Sequence, residues 1–74
     1  MKRISSADLN WIVLEELWAA GWPEGIAIAV VPDPVDNWRI IIQRWGRAPV
    51  SKRHREQLAT IERKLRALYT LKQR

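Results

Sequence analysis

The segment Ser51-Lys52-Arg53-His54-Arg55-Glu56 places three permanent cations, Lys52, Arg53 and Arg55, where a helix should begin. A helix N-terminus already carries about half a positive charge, and each exposed cation there costs roughly 0.3–1 kcal/mol at low salt. Clustered cations beside unsatisfied backbone N–H groups are also the ingredients of an anion site, because a bound phosphate would satisfy the donors and offset the mutual repulsion. Two readings follow: an anion-binding helix start, or a dipole penalty that is simply tolerated. Just upstream, Arg44-Trp45-Gly46-Arg47 interleaves an aromatic plane with two guanidiniums, the mixture that stacks a nucleobase while neutralising phosphates. A Trp beside a Gly equally caps the edge of a core. With a helix continuing from Ser51, residues Arg55, Arg66, Lys52, Arg63 and Arg74 fall within about 100° of arc. Phosphate contacts need cations spaced along a surface and little else, so this stripe suits a nucleic-acid backbone without specifying groove or sequence. Its alternative is a solvated face that keeps a basic protein soluble. The candidate nucleic-acid or anion-binding set is therefore Arg44, Trp45, Arg47, Lys52, Arg53, Arg55, Arg63 and Arg66.

Catalytic parts are missing. His54 is the only imidazole and there is no cysteine to activate, so nucleophile–base couples of the Cys–His kind are excluded. On the extension of the apolar seam of its helix, His54 reads as a half-buried or solvated side chain. Glu15 and Glu16 are sequence neighbours, hence about 100° apart on a helix, and read as solvating charges rather than an acid–base couple. No catalytic residue, cofactor or metal is expected, since one histidine without thiols cannot assemble the three or four ligands of a zinc site.

At 74 residues the chain makes one domain, in the range where a single core supplies only about 3–5 kcal/mol. Without cysteine there is no disulfide to add, and association with another chain is the remaining external support. No apolar run approaches the 18 or so residues that span a bilayer, and Met1 to Asp8 has no apolar stretch of the signal-peptide kind. A soluble, cytoplasmic protein with no membrane partner is expected. The net charge of +5 hides an asymmetry: residues 1–38 hold two cations against six acids, and residues 39–74 hold eleven against two. Such a charge dipole favours a polyanionic partner for the basic half, or self-association of basic on acidic halves.

These residues must be positioned by a few elements. Residues 5–20 read as a helix, with Ser5 as N-cap, Asp8 three residues on, and Gly21-Trp22-Pro23 as the stop. Its apolar residues, Leu9, Trp11, Val13, Leu14, Leu17, Trp18 and Ala20, cover about 200° of surface, wider than the 100° stripe that suffices for one-sided burial. Residues 26–31 and 38–44 are rich in β-branched side chains and bounded by turn formers, which predicts an antiparallel hairpin. A five-residue connection, 32–36, would set Ile26, Ile28 and Val30 opposite Ile42, Ile40 and Trp38 on one apolar face. Residues 51–72 read as a second helix whose seam, Leu58, Ile61, Leu65 and Leu68, packs on Val13, Leu14 and Leu17 of the first. Of the five tryptophans, Trp11, Trp18, Trp22 and Trp38 read as packing residues.

The expected fold is thus α+β: a single small domain of order α-β-β-α, with both helices on one face of the hairpin. That order is similar in outline to double-stranded-RNA-binding domains, whose third strand and basic motifs this sequence lacks. The run from Ile26 to Val31 holds no charge and makes a poor exposed edge. A homodimer contact through Ile26, Ala27, Ala29, Trp11 and Trp18, joining two hairpins into a four-stranded sheet, follows as an expectation. The expected function is a small non-enzymatic module that binds the DNA or RNA backbone with little sequence specificity. The rival is a protein-interaction or assembly module, with the basic helix on an acidic protein surface or the chain as a homodimer.

Overall fold

In the computed structural model, which describes residues 2–44 and 50–72, the elements follow the order β1 (Lys2–Ile4), α1 (Ser6–Ala19), β2 (Ala27–Asp33), β3 (Asn37–Arg44), α2 (Lys52–Arg66) and β4 (Tyr69–Leu71). The α-β-β-α core of the expectation is there, and a short strand has been added at each end. The two helices lie on one face of the β2–β3 hairpin, and the strands β1 and β4 pair in parallel beside it.

Local chemistry sets the bounds of α1. Ser5 is extended, and its Oγ accepts a hydrogen bond from the Asp8 N–H at 3.2 Å, which satisfies one orphan donor of the first turn. Ile4 and Leu9 occupy the flanking positions of a hydrophobic staple, and both are buried. At the other end Gly21 adopts φ +87°, and the Gly21 and Trp22 N–H groups donate to the Trp18 and Leu17 carbonyls at 3.0 Å each. This is the Schellman arrangement with its apolar contact, since Trp22 and Leu17 are both core residues.

The hairpin keeps its predicted faces but slides in register. Ile28 opposes Ile42, Val30 opposes Ile40, and Trp38 faces Pro32 rather than Val30. The strands therefore run past Pro32 to the pair Asp33 and Asn37, leaving a connection of 34–36 in place of the expected 32–36. Asp33 explains the shorter turn. Its Oδ1 accepts from the N–H groups of Val35 (2.8 Å) and Asp36 (3.0 Å), a side-chain turn that closes the loop. Those two bonds, with Arg39 as a weaker influence, hold the Asp33 carboxyl below its usual range. Asn37 takes φ +74°, a left-handed conformation that asparagine tolerates better than most residues. A slide of two residues preserves side-chain parity, so Ile28, Val30, Trp38 and Ile40 still point into the core.

The second helix is shorter than the expected 51–72. It ends at Arg66, and Leu68, expected in the seam, lies in the following turn and is half exposed at 51 %. No Gly or Pro stops it; tertiary hydrogen bonds do. The Trp38 Nε1–H donates to the Tyr69 carbonyl at 3.2 Å, and the Leu71 N–H donates to Asn37 Oδ1 at 2.7 Å. The Lys2 N–H reaches the Leu68 carbonyl (2.9 Å) and the Lys72 N–H the Ile4 carbonyl (2.7 Å). Backbone groups that a longer helix would have paired internally are thus satisfied by β1 and by the side chains of β3. The seam that remains, Ile61 and Leu65 with Leu58 at its margin, joins Val13 and Leu17 in the core, with Leu14 packed against it.

The tryptophans divide. Trp38 is fully buried and Trp22 nearly so, as expected of packing residues, whereas Trp11 is 56 % exposed. Trp18 stays partly exposed and meets Trp11 edge to face, centroids 5.7 Å apart. The broad apolar surface of α1 exceeds what one sheet face and one helix cover, so its outer stripe stays open.

Asn37→Gly keeps the left-handed backbone at no steric cost but removes the acceptor for Leu71. The expected loss is about 1–2 kcal/mol, and native-state hydrogen exchange should quicken at the Leu71 amide while the Ile28–Ile42 region keeps its protection. Equal protection at Leu71 in both proteins would show that β4 does not depend on this bond.

Candidate nucleic-acid interface

Ser51 begins α2 as expected. It is extended, and its Oγ accepts from the His54 N–H at 3.3 Å while lying 2.7 Å from His54 Nδ1. The hydroxyl and the imidazole thus share one short hydrogen bond at the helix start. The ring packs edge-on against Trp22 at 5.2 Å, and Trp22 Nε1–H donates to Gln57 Oε1 at 2.9 Å. His54 is thus half-buried and bound up with the helix start, pinning α2 to the end of α1.

With His54 turned inward, the same turn directs Lys52, Arg53 and Arg55 to solvent, and all three are exposed. No acid lies in that first turn. Lys52 meets Glu56 only loosely, at 3.9 Å with both side chains largely in water, a pair worth little. Among the described residues, Arg53, Arg55 and Arg63 have no carboxylate within 4.0 Å. Arg53 also borders a shallow depression of about 310 Å³ formed with Ala20, Glu56, Gln57, Thr60 and Ile61.

Two other cations of α2 are occupied. Lys64 Nζ bonds Glu16 Oε1 at 2.9 Å, tying α2 to α1. Arg66, placed with the candidate set by its position in the stripe, turns toward β3: its Nε–H donates to the Trp38 carbonyl at 2.9 Å, its Nη2 pairs with Glu62, and its guanidinium lies 5.5 Å from the Trp38 ring centroid. Burial pushes the Glu62 carboxyl above its usual 4.5, against the opposing pull of Arg66 and of a hydrogen bond from the Ile40 backbone. A phosphate would have to compete with all of these for Arg66. The spacing of Glu62 and Arg66, four apart on the helix, was the signal in the sequence that separates this arginine from Arg63.

Of the remaining candidates, Arg44 is exposed at the end of β3, and Trp45, Arg47 and Arg74 lie outside the described residues. Within the expected dimer set, Ile26 is buried in the core and Ala27 and Ala29 are half-buried, while Trp11 and Trp18 reach solvent. No group of three or more His, Cys, Asp or Glu side chains capable of holding a metal occurs among the described residues, and no helix there is long and apolar enough to cross a membrane. No protein-family model matches the chain, and comparison with curated proteins and with solved structures finds no match.

The Glu62 carboxyl supplies a signed prediction. Its raised folded-state value means that its contribution to stability is full below pH 4.5 and is lost as pH rises through the higher folded value. Glu62→Gln has no such titration. In urea melts at a series of pH values, the stability of the native chain relative to Glu62→Gln should fall as pH rises from about 4 to 7; a difference that grows with pH would mean that the Arg66 attraction outweighs burial.

Proposed function

We propose that this chain is a small non-enzymatic module that binds the nucleic-acid backbone through α2, with little sequence specificity. The observation that carries the reading is the helix start itself: Lys52, Arg53 and Arg55 exposed on an acid-free first turn, with Arg63 exposed further along the same helix. The eleven steps from Lys52 to Arg63 span about 16 Å at the helical rise. Duplex DNA presents roughly ten phosphate charges over that length. The cations that hold the fold together, Lys64 and Arg66, already have partners, so a phosphate array meets side chains whose engagement costs no structural bond. Arg44 extends the same set from the end of β3, and Trp45 and Arg47 adjoin it in sequence. A cytoplasmic location and either DNA or RNA as partner belong to the same proposal.

A second reading is favoured by a different observation, the half-exposed Trp11 beside Trp18. In it the chain is an assembly module whose homodimer contact uses the outer stripe of α1 and the exposed side of β2 at Ala27 and Ala29, with α2 free to meet an acidic protein surface. Ile26 has no part in that contact, being buried. Sedimentation at high micromolar concentration separates the two: a folded monomer removes the dimer.

Salt dependence tests the first reading. With about four phosphates neutralised, log K for duplex DNA should fall with log salt at a slope near −3.6. Replacing one of Arg53, Arg55 or Arg63 by Ala should lower that slope by about 1. The triple reversal Arg53→Glu, Arg55→Glu, Arg63→Glu should abolish binding with the circular dichroism unchanged. No detectable binding to duplex or single strands at about 50 mM salt would end the proposal, and so would binding that is indifferent to salt.

A further inference from the structure

The pairing of β1 with β4 brings the two ends of the described chain against the first turns of α1 and builds a cleft there of about 530 Å³. From this cleft we infer a second binding site, separate from α2, for a nucleoside phosphate: a planar base with an attached phosphate.

The walls carry the chemistry in two parts. Lys2, Arg3 and Lys72 all line the cleft and are all exposed. Among the described residues none of the three has a carboxylate within 4.0 Å. Asp8 lines the cleft as well, leaving three positive charges against one negative. Such a lining attracts an anion, and the unpaired cations give a phosphate charge-assisted donors without breaking any existing ion pair.

The second part is aromatic. Trp11 and Tyr69 line the same space, with Ile4 and Ile12 as further apolar wall. Trp11 exposes 56 % of its surface, an unusual cost for the largest side chain in a small fold. Its neighbour Trp18 meets it edge to face at 5.7 Å, and contacts of that geometry are favourable beyond their buried area. Trp18 therefore holds Trp11 as a braced ring beside the cations rather than leaving it loose in water. A braced aromatic next to unpaired cations is the pairing that stacks a base and holds its phosphate. The volume lies within the range of about 300–1,000 Å³ usual for small-molecule sites.

The site exists only because of the parallel register. Lys2 sits opposite Tyr69 and Arg3 opposite Thr70, which sets the first cations of the chain beside the last aromatic one. The nucleotide could be free or could be one unit of a single strand; the chemistry in the cleft is common to both.

Amide and indole resonances of the full chain, titrated with adenosine 5′-monophosphate, test this directly. The Trp11 indole and the Arg3 and Lys72 amides should shift together and saturate. Adenosine alone and inorganic phosphate alone should each bind at least about tenfold more weakly, as expected when stacking and charge both contribute. Trp11→Ala should lower affinity by about tenfold, and so should Arg3→Glu with Lys72→Glu; in both, the amide spectrum should stay dispersed. A tetranucleotide that binds the cleft more tightly than the monophosphate would identify a strand as the source, and the reverse order a free nucleotide. The triple reversal on α2 should leave monophosphate binding intact, so this site stands or falls independently of the α2 interface. No shift at millimolar monophosphate would overturn the inference. So would phosphate binding as tightly as the nucleotide, or shifts that map to α2.

Discussion

The fold depends on what converges at Trp38. Its side chain is fully buried between the hairpin and the helices, and its polar groups reach outward to the two elements that follow. The indole N–H holds the Tyr69 carbonyl of β4, and the backbone carbonyl takes the Arg66 guanidinium, which also lies over the ring. A buried indole needs a partner for its N–H. Here the partner is a backbone carbonyl that would otherwise have prolonged α2. One residue thus fills the core, ends the helix and fixes the strand that pairs with β1. With so small a core, loss of this residue removes several of those constraints together, and cores of this size hold only about 3–5 kcal/mol in reserve.

The same convergence divides the basic residues by use. The chain carries 13 Lys and Arg, and a stripe drawn from helical geometry treats those on α2 as equivalent. Burial does not. Arg66, with 27 % of its side chain exposed, and Glu62, with 15 %, form a pair packed against β3, whereas the Lys52–Glu56 pair stands in water. A partly buried guanidinium with a carboxylate, a carbonyl and an aromatic face around it is a structural group. The exposed cations that remain cost the helix start a little stability through its dipole, and an anion there would return it. In the same turn the Ser51–His54 contact holds the imidazole half-buried while Lys52, Arg53 and Arg55 face solvent.

Much of this was legible from the residues. Ser5 and the run Gly21-Trp22-Pro23 bound α1 because capping chemistry is local, and the alternation of Ile28, Val30, Trp38 and Ile40 identifies the core face because parity survives a slide in register. The register itself was not legible: Pro32 looks like loop, and only the Asx-type turn at Asp33 shows that the strand continues through it. Strands β1 and β4 were missed because three residues are too few for a periodic signal. Leu68 also prolongs the seam of Leu58, Ile61 and Leu65 as though the helix went on. The aromatic and β-branched pair Tyr69-Thr70 was the available hint of a strand. The cleft between the chain ends was out of reach altogether, since parallel pairing of residues 67 positions apart leaves no mark in either segment.

The central claim is that neighbouring arginines of one helix do different jobs, Arg63 facing a ligand and Arg66 holding the fold. The most direct test measures stability and duplex affinity in parallel for Arg63→Ala and Arg66→Ala. Arg66→Ala should lose about 1.5–3 kcal/mol, the range for hydrogen bonds to a charged group, while the folded fraction binds duplex DNA with nearly native affinity and salt slope. Arg63→Ala should unfold at the native denaturant midpoint and bind more weakly with a shallower salt slope. Equal loss of affinity in both variants, with no loss of stability in Arg66→Ala, would contradict the account.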